Sequence, residues 1–514
     1  HSARFRTVQG IASFADKTAA IRNELGSDIH TTANLGGMHP FYWMHQSSFI
    51  ESFKHGAMTL AWTEDYTYCQ PEASRLVVDF EAAYLRKGAS YRNQPMMYYC
   101  MPHWPGNTPE YLLQCAVMEW GQNVKDLDFF WASPDAFSTE NYVTYRGGMP
   151  IWKTLRTISG MAGLLEDHLL PARTEPAKVA VLLSEASDVW ELNGNSQGSV
   201  VPGSEETNIS QEERKALWYA LRNAGHRVDF VTEADCAEGL LKNYSALYVC
   251  GRNLERKAAT AIKSWVAAGG TVLATAGAAR KDEFDEPLTE LDSVFGRGIA
   301  KSHTLFKGPL RARLELLFEK PLDQIKLADG TTMKVLCSRE EFTPAASATV
   351  LGKFGNGQPA WISHTSGKGR AFYLGALPGQ AYLQPAIPFT PMGKGGSQTS
   401  PWMVEPLDFA APAAALILEP LKQAQLQPDT QASQRGVALN RLKSPKSTLL
   451  TVVNLAQQTD GDRKNLELRV SNLPAARRAW SCFHAKTALP LRHDGDAVII
   501  TLPTLAAADV VVIE

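Results

Sequence analysis

Cysteine is scarce in this chain, and its seven cysteines are scattered without a C-x-x-C pair. An odd number without close spacing predicts neither a disulfide framework nor a cysteine zinc site, and it leaves the redox compartment undecided. Charge of one sign is also lacking, because the formal net charge is -2 at pH 7. This argues against a nucleic-acid partner or an acidic membrane surface recognised through bulk charge. No apolar run reaches the ~18 residues of a membrane span.

No signal-peptide pattern opens the given sequence, which starts at His1 in the middle of a pattern, so this absence says little about localisation. We therefore expect a fragment or a processed product. Localisation stays undecided, with an extracellular or periplasmic location favoured over a cytoplasmic one. The composition is that of a globular protein, with 44% hydrophobic and 20% charged residues, and 514 residues predict about three domains.

The first part of the chain alternates helix and strand patterns. Helical spacing occurs over 11–25, 47–54, 74–87, 109–124 and 151–168, and short apolar runs predict strands at 28–35, 57–62, 95–101 and 127–131. Four βα units in a row imply parallel strands joined by crossover helices. The prediction for residues 1–172 is half of a (β/α)8 TIM barrel, which would leave an open edge.

The remainder predicts two further regions. Residues 173–400 alternate strands such as Lys178–Leu183 and Ala246–Val249 with helices such as 256–268, which predicts an α/β domain of the doubly wound, flavodoxin-like type. That domain includes Gly367-Lys-Gly-Arg370, which bears glycine and cations but lacks phosphate-loop spacing and predicts a β-turn. Residues 401–514 predict a linker helix followed by a small β-sandwich.

The stretch Ala57–Tyr66 is the most informative, because an apolar run ends in Trp62, Glu64, Asp65 and Tyr66. Acids just past a parallel strand lie where α/β folds place their chemistry, and aromatics beside carboxylates suit a sugar site. Adjacent residues on a strand point to opposite faces. We therefore expect Glu64, which would share a face with Trp62, to face the pocket; the alternative is a solvated acidic loop.

Other strand ends supply further candidates for carbohydrate contact. His103 and Trp104 follow the third predicted strand, Trp131 ends the fourth, and Asn34 ends the first. An indole face can stack on a pyranose and an imidazole can bond a hydroxyl, whereas the alternatives are a rigid loop, core packing and a turn. His39 and His45 have no third ligand at a recognisable spacing, so we predict no metal site and no cofactor.

The order of these motifs resembles the glycoside hydrolase family 42 β-galactosidases. Thr31–Gly36, Ala57–Tyr66, Gln94–Met101 with Pro105-Gly106, and Leu127–Trp131 resemble that family's fifth to eighth barrel strands. Residues 178–380 resemble its trimerisation domain, which has a class I glutamine amidotransferase-like fold, and residues 430–514 lie where its C-terminal β-domain lies. The resemblance implies a carbohydrate substrate and a homo-oligomer, namely a trimer.

Two departures from the family matter. The family's general acid ends the fourth strand, and the resemblance implies that this chain begins after that strand. Its nucleophile is a glutamate at the end of the seventh strand, where this chain has Cys100 or Met101 without a neighbouring acid in sequence. Fold analogy alone does not confer activity.

Three hypotheses about function remain at this point. The first is hydrolysis of a β-linked galactoside or a related oligo- or polysaccharide, with Glu64 or Asp65 as catalytic acids. The second is a degenerate barrel that acts as a carbohydrate-binding or assembly module. The third is an amidotransferase-like enzyme using Cys250, although Cys250 lacks the usual glycine on its amino side and is more typical of a buried cysteine.

Overall fold

The structure, a computed structural model, describes residues 2–33, 46–64, 76–100, 108–129, 149–194, 209–305, 320–386 and 407–514. Helices and strands alternate as far as residue 295, and mostly antiparallel strands follow. The α/β class predicted from the sequence is confirmed. Within the described ranges, no helix is long and apolar enough to cross a membrane.

The first part of the chain forms a small parallel sheet with helices between its strands. Its elements are α1 (Ser2–Leu25), α2 (Gln46–Lys54), β1 (Ala61–Glu64), α3 (Leu76–Ser90), β2 (Met96–Cys100), α4 (Pro109–Gly121), β3 (Asp126–Phe129) and α5 (Met149–Leu169). The strand order is β1-β2-β3, and both pairs are parallel. Helix α4 begins where the sequence predicts, because the Thr108 hydroxyl accepts a hydrogen bond from the Tyr111 backbone N–H and Pro109 needs no partner there.

Two strand predictions in this part are wrong in position. Residues 28–33 form no strand, although the Thr31 carbonyl accepts hydrogen bonds from the backbone N–H groups of Thr59 and Leu60. The strand predicted at 57–62 lies instead at 61–64, because residues 57–60 turn out of α2. Ala57 and Met58 are buried in that turn, so their apolar character reflects burial rather than extended structure.

The middle part is built on one nine-stranded sheet. Its elements, in chain order, are β4 (Arg173–Thr174), β5 (Val179–Leu183), α6 (Glu185–Gly194), α7 (Ile209–Asn223), β6 (Val228–Thr232), α8 (Glu233–Ala237), β7 (Ala246–Val249), α9 (Arg256–Ala267), β8 (Thr271–Ala274), α10 (Asp292–Phe295), β9 (Arg297–Leu305), β10 (Asp323–Leu327), β11 (Thr332–Val335), β12 (Ser338–Pro344), β13 (Thr349–Phe354), β14 (Pro359–Ser366), β15 (Gly369–Leu374) and α11 (Pro378–Leu383). The strands β6-β5-β7-β8-β15 are parallel neighbours, and β14-β13-β10-β11 extend the sheet antiparallel. A separate ribbon pairs β9 with β12.

The last part consists of two antiparallel sheets. Its elements are α12 (Ala411–Gln423), β16 (Thr430–Ala432), β17 (Val437–Lys443), β18 (Thr448–Asn454), α13 (Gln457–Asp460), β19 (Arg463–Val470), β20 (Ala479–Ser481), β21 (Thr487–Leu489), β22 (Leu491–Asp494), β23 (Ala497–Leu505) and β24 (Ala508–Ile513). One sheet has the order β16-β19-β23-β22 and the other β21-β20-β24-β18-β17-β4. A hydrophobic core contains side chains from both sheets, including Leu450, Val452, Leu468 and Ile500.

The three parts of the chain pack against one another through buried contacts. Every residue of β18 is buried, because helix α4 covers the face of its sheet that the second sheet does not. A buried polar junction adds to this: Gln122 and Asn440 each donate a side-chain hydrogen bond of 2.7 Å to Asp79 Oδ1, and Arg222 Nε lies 3.6 Å from Asp79 Oδ2. These four residues come from the first, middle and last parts, so the junction ties all three together.

Candidate functional site

The β1–β3 sheet has one face closed by helices. On that face the Tyr98 hydroxyl donates a 2.8 Å hydrogen bond to Glu81 of α3, and the Cys100 thiol lies 3.1 Å from Glu119 Oε2 of α4. All four side chains are buried. Solvent and ligands are therefore excluded from this side of the sheet.

The other side, which we term the open face, is defined by Trp62, Met97, Tyr99, Asp126 and Asp128. The parallel register pairs Trp62 with Met97, Met97 with Asp126, and Tyr99 with Asp128. The indole of Trp62 contacts the ring of Tyr99 edge-to-face, with ring centroids 5.6 Å apart and planes at 72°. Asp126 and Asp128 are exposed, whereas Leu127 between them belongs to the helix-covered face. The open face thus combines aromatic rings with carboxylates.

Trp62 carries a polar group that the described residues leave without a partner. Its side chain is only 9% exposed, and among the residues that the structure describes its indole N–H finds no acceptor. A buried N–H left without a hydrogen bond costs about 1–3 kcal/mol. The open face therefore presents a buried donor that a hydroxyl oxygen from outside these residues can satisfy.

The carboxyl end of the sheet is where the sequence places the chemistry. Glu64 is the last residue of β1 and pairs in register with Tyr99. The prediction about Glu64 depended on extended backbone continuing past Trp62, and that condition is met because β1 runs through Glu64. Both Tyr99 and Asp128 lie in the row of residues that begins at Glu64.

Most of the other predicted site residues cannot be placed on this face. Asn34, Asp65, Tyr66, His103, Trp104 and Trp131 all lie outside the described residues. Tyr99 and Asp128, in turn, were missed from the sequence. The polar–apolar alternation of Asp126-Leu-Asp-Phe could have signalled that two aspartates share one face of β3.

By resemblance, the position of the family's nucleophile corresponds to Cys100 or Met101, and Met101 lies outside the described residues. Cys100 ends β2, and the carboxylate of Glu119 lies next to its thiol. Both side chains are buried on the helix-covered face. This carboxylate therefore cannot take the place of an acid in a pocket on the open face.

Cys250 follows β7 in the middle part, and its surroundings disfavour a nucleophile. The thiol is buried and approaches the Ser210 carbonyl oxygen at 3.6 Å. Burial raises the pKa of the Cys250 thiol well above its ordinary value, because the charged thiolate would lose its hydration. A thiol held neutral in this way is inert, which argues against the amidotransferase hypothesis.

Comparisons with known proteins agree with the architecture. Residues 177–387 match the family model described as the β-galactosidase trimerisation domain. No curated protein matches the chain. Among solved structures, the β-galactosidase from Bacillus circulans sp. alkalophilus superimposes with a TM-score of 0.72 at 16% identity, covering 100% of this chain and 67% of that one.

Two further structures are similar. A catalytic mutant of Gan42B, a GH42 β-galactosidase from G. stearothermophilus, has a TM-score of 0.69 at 14% identity over 100% of this chain and 68% of that chain. The α-L-fucosidase isoenzyme 2 from Paenibacillus thiaminolyticus has a TM-score of 0.59 at 14% identity over 89% of this chain and 65% of that chain. The chain spans about two thirds of these proteins. Residues 177–387 thus match the β-galactosidase trimerisation domain, and the chain has a fold similar to that of these β-galactosidases.

Proposed function

We propose that this protein binds a carbohydrate on the open face and hydrolyses a β-linked galactoside or a related oligo- or polysaccharide. The observation that carries the proposal is the indole N–H of Trp62, which has no acceptor among the described residues and is buried beside Tyr99 at the carboxyl end of parallel strands. Sugar hydroxyls supply the acceptor that this N–H needs, and aromatic rings supply apolar faces for a pyranose. In this proposal β1, β2 and β3 are part of a (β/α)8 barrel, and the open face is its interior.

The acids of the proposed reaction are Glu64 and Asp128, with Asp65 as the alternative to Glu64. Positions 64, 99 and 128 form one row across three neighbouring strands. Because strands lie ~4.8 Å apart, the α-carbons of Glu64 and Asp128 are separated by about 10 Å. Paired carboxyl groups of glycosidases are roughly 5–10 Å apart, so the row can hold a scissile bond between two acids. One acid would protonate the leaving oxygen, and the other would activate water or attack the sugar.

The remaining predicted residues take binding roles in this proposal. Asn34, Tyr66, His103, Trp104 and Trp131 all come from segments adjoining the carboxyl ends of the predicted strands. They would contact sugar hydroxyls and ring faces around the row that Glu64 begins.

Hydrolysis of an aryl β-galactoside by variants of the full chain tests the catalytic assignment. We expect Asp128→Asn and Glu64→Gln each to lower kcat at least about 100-fold, as is usual when a general acid or base is removed. Asp126→Asn is the matched control, since Asp126 lies on the same strand and face but two residues further from the carboxyl end. Unchanged hydrolysis by Asp128→Asn and Glu64→Gln would refute their roles.

A non-catalytic function is the second candidate, and the burial of Cys100 on the helix-covered face favours it. With no carboxylate reaching the open face from that strand end among the described residues, the barrel would be a carbohydrate-binding or assembly module. Calorimetry with Trp62→Phe, which removes the indole N–H but keeps an aromatic ring, separates the outcomes. Weaker binding without any hydrolysis in the wild type would establish the module.

The assembly and domain boundaries are part of the same proposal. We infer three regions at 1–172, 173–400 and 401–514, the middle one having a flavodoxin or class I amidotransferase-like fold and the last being a linker helix and a β-sandwich. The trimerisation-domain match supports a homo-oligomer, and we propose a trimer. Light scattering coupled to gel filtration tests this, and a monomeric mass would contradict it.

A further inference from the structure

A cationic groove lies at the amino ends of the parallel strands β7, β8 and β15, in the middle part of the chain. It has a volume of about 780 Å³. Three cations line it, Lys242, Lys368 and Arg370, and no Asp or Glu is among the described residues that line it. Because the whole chain has a net charge of -2, this local excess of positive charge is a property of the groove and not of the protein surface in general.

The Gly367-Lys-Gly-Arg370 motif forms one wall of the groove. Gly367 adopts a φ of +61°, and the Lys368 backbone N–H donates a 2.9 Å hydrogen bond to the Ala267 carbonyl at the end of α9. A Cβ on Gly369 would lie 2.0 Å from the Val266 carbonyl oxygen, so only glycine permits this approach. The two glycines therefore allow the β14–β15 turn to pack closely on α9, which places the backbone of Lys368 and Arg370 at the edge of the groove.

The groove is also lined by an aromatic side chain, that of Trp265. Trp265 is half-buried, and its indole lies against Gly270, where a Cβ would come within 2.4 Å of the ring. The indole therefore packs closely on Gly270 and also lines the groove. Neutral polar side chains, Thr271 and Thr365, stand beside it.

The cations keep free hydrogen-bonding capacity. Arg370 donates one hydrogen bond of 3.0 Å to Gln423 Oε1, and a guanidinium has five N–H donors in all. Lys368 and Arg370 are exposed, and each is suited to a carboxylate or sulfate oxygen. An indole ring, hydroxyl groups and cations without carboxylates are groups that suit an acidic sugar.

We propose that the cationic groove binds an acidic oligosaccharide, one that carries carboxylate or sulfate groups. This site is separate from the open face, because it is built from β7, β8, β15 and α9. A single-stranded nucleic acid fits less well, since such ligands use several stacking aromatics in succession along a longer basic track. Here the described lining offers one tryptophan and three cations.

Calorimetry of the full chain tests the groove with defined probes at low ionic strength. The probes are a galacturonate hexamer, a sulfated α-glucan hexasaccharide that has no carboxylate, and the same α-glucan hexasaccharide without sulfate, whose α linkages differ from the β-linked sugars proposed for the open face. We expect binding of at least one acidic probe, weaker binding as salt rises, and no binding of the neutral probe. The two acidic probes distinguish carboxylate from sulfate as the recognised group.

Variants assign the binding to the groove. We expect Trp265→Ala to weaken binding about tenfold or more, and Arg370→Gln or Lys368→Ala to weaken it about threefold each. Lys263→Ala is the matched control, because Lys263 is an exposed cation on α9, the helix that carries Trp265, but does not line the groove. Circular dichroism checks each variant, and Arg370→Gln, at an exposed site, keeps the test valid if Trp265→Ala fails to fold.

Three results would overturn the proposal. These are no binding of either acidic probe, equal losses in the Lys263→Ala control and the groove variants, and tighter binding of a deoxythymidine hexamer than of the acidic sugars. Binding rather than hydrolysis is measured, so an inactive open face leaves the result unaffected. Conversely, a loss of sugar acid binding in the groove leaves the hydrolysis experiments untouched.

Discussion

Gly121, the last residue of α4, lies where the helix meets the last part of the chain. A Cβ added there would be 2.5 Å from Thr451 Oγ1 and 2.7 Å from Asn440 Cβ. Thr451 and Asn440 are both buried, so neither can move aside freely. Gly121→Ala therefore has two opposing effects on stability. Higher helix propensity stabilises the variant, and steric overlap at the contact between α4 and strands β17 and β18 destabilises it.

The overlap should win. Replacing glycine by alanine in a helix favours the helix by about 0.5–1 kcal/mol, whereas overpacking a core costs about 1–3 kcal/mol. We expect Gly121→Ala to lower the free energy of unfolding by about 1–2 kcal/mol. Gly160→Ala in α5 is the matched control, because nothing lies within 4 Å of its added Cβ. There only the propensity gain remains, so that variant should be about 0.5–1 kcal/mol more stable.

Urea denaturation followed by tryptophan fluorescence measures both variants against the wild type. The structure predicts opposite signs, with a difference of roughly 2 kcal/mol between them. If Gly121→Ala proves as stable as Gly160→Ala, the close packing of α4 on β17 and β18 is incorrect.

Three other predictions concern two contacts between parts of the chain and the titration of one buried carboxyl group. Phe80 packs edge-to-face on rings of the middle part, including that of Trp218 with centroids 5.4 Å apart. In urea denaturation Phe80→Ala should lower the free energy of unfolding by about 3–5 kcal/mol, whereas Phe5→Ala, at an exposed site, should lower it by under about 0.5 kcal/mol. Equal losses would contradict the shared core. Asp79→Ala should cost about 3–5 kcal/mol, because it leaves the buried Arg222 without its carboxylate, and a cost below 1 kcal/mol in thermal unfolding would argue against the polar junction. Burial raises the pKa of Glu233 to about 8, so the folded state keeps a proton that the unfolded state releases near pH 4.5. The free energy of unfolding should therefore fall as pH rises from about 4.5 to 8, by up to ~1.4 kcal/mol per pH unit from this group. The same pH dependence in Glu233→Gln as in the wild type would refute the assignment.

Local sequence patterns predicted the elements whose structure is decided locally. Helix α4 was predicted at 109–124 and lies at 109–121, since Thr108 and Pro109 mark its start. Strand β7 was predicted at 246–249 and lies there, as a short apolar run buried on both faces. Both predictions rested on interactions within a few residues, which the sequence displays directly.

Predictions failed where distant parts of the chain decide the structure. The strand expected at 28–35 is absent over its described residues, because Thr31 gains only a few hydrogen bonds from residues 59 and 60. The ribbon of β9 and β12 was not predicted, since its pairing joins residues far apart in sequence. Hydrogen bonds between distant strands are tertiary information that no local pattern carries.

The candidate site shows the same division. Trp62 was identified because it stands at the end of an apolar run, and it does lie on the open face beside Tyr99. Tyr99 and Asp128 were missed because only the register across β1, β2 and β3 aligns them with Glu64. The strand pairing, rather than any single motif, assembles the row of residues that we propose as catalytic.

The most direct test of the proposed function is hydrolysis of a panel of aryl β-glycosides and β-linked oligosaccharides. The protein as its gene encodes it is assayed alongside residues 1–514, with Asp128→Asn in each form. Hydrolysis of a β-galactoside that Asp128→Asn abolishes is the predicted result. No hydrolysis of any substrate by either form, from folded and assembled protein, would contradict the enzymatic function and leave the carbohydrate-binding module.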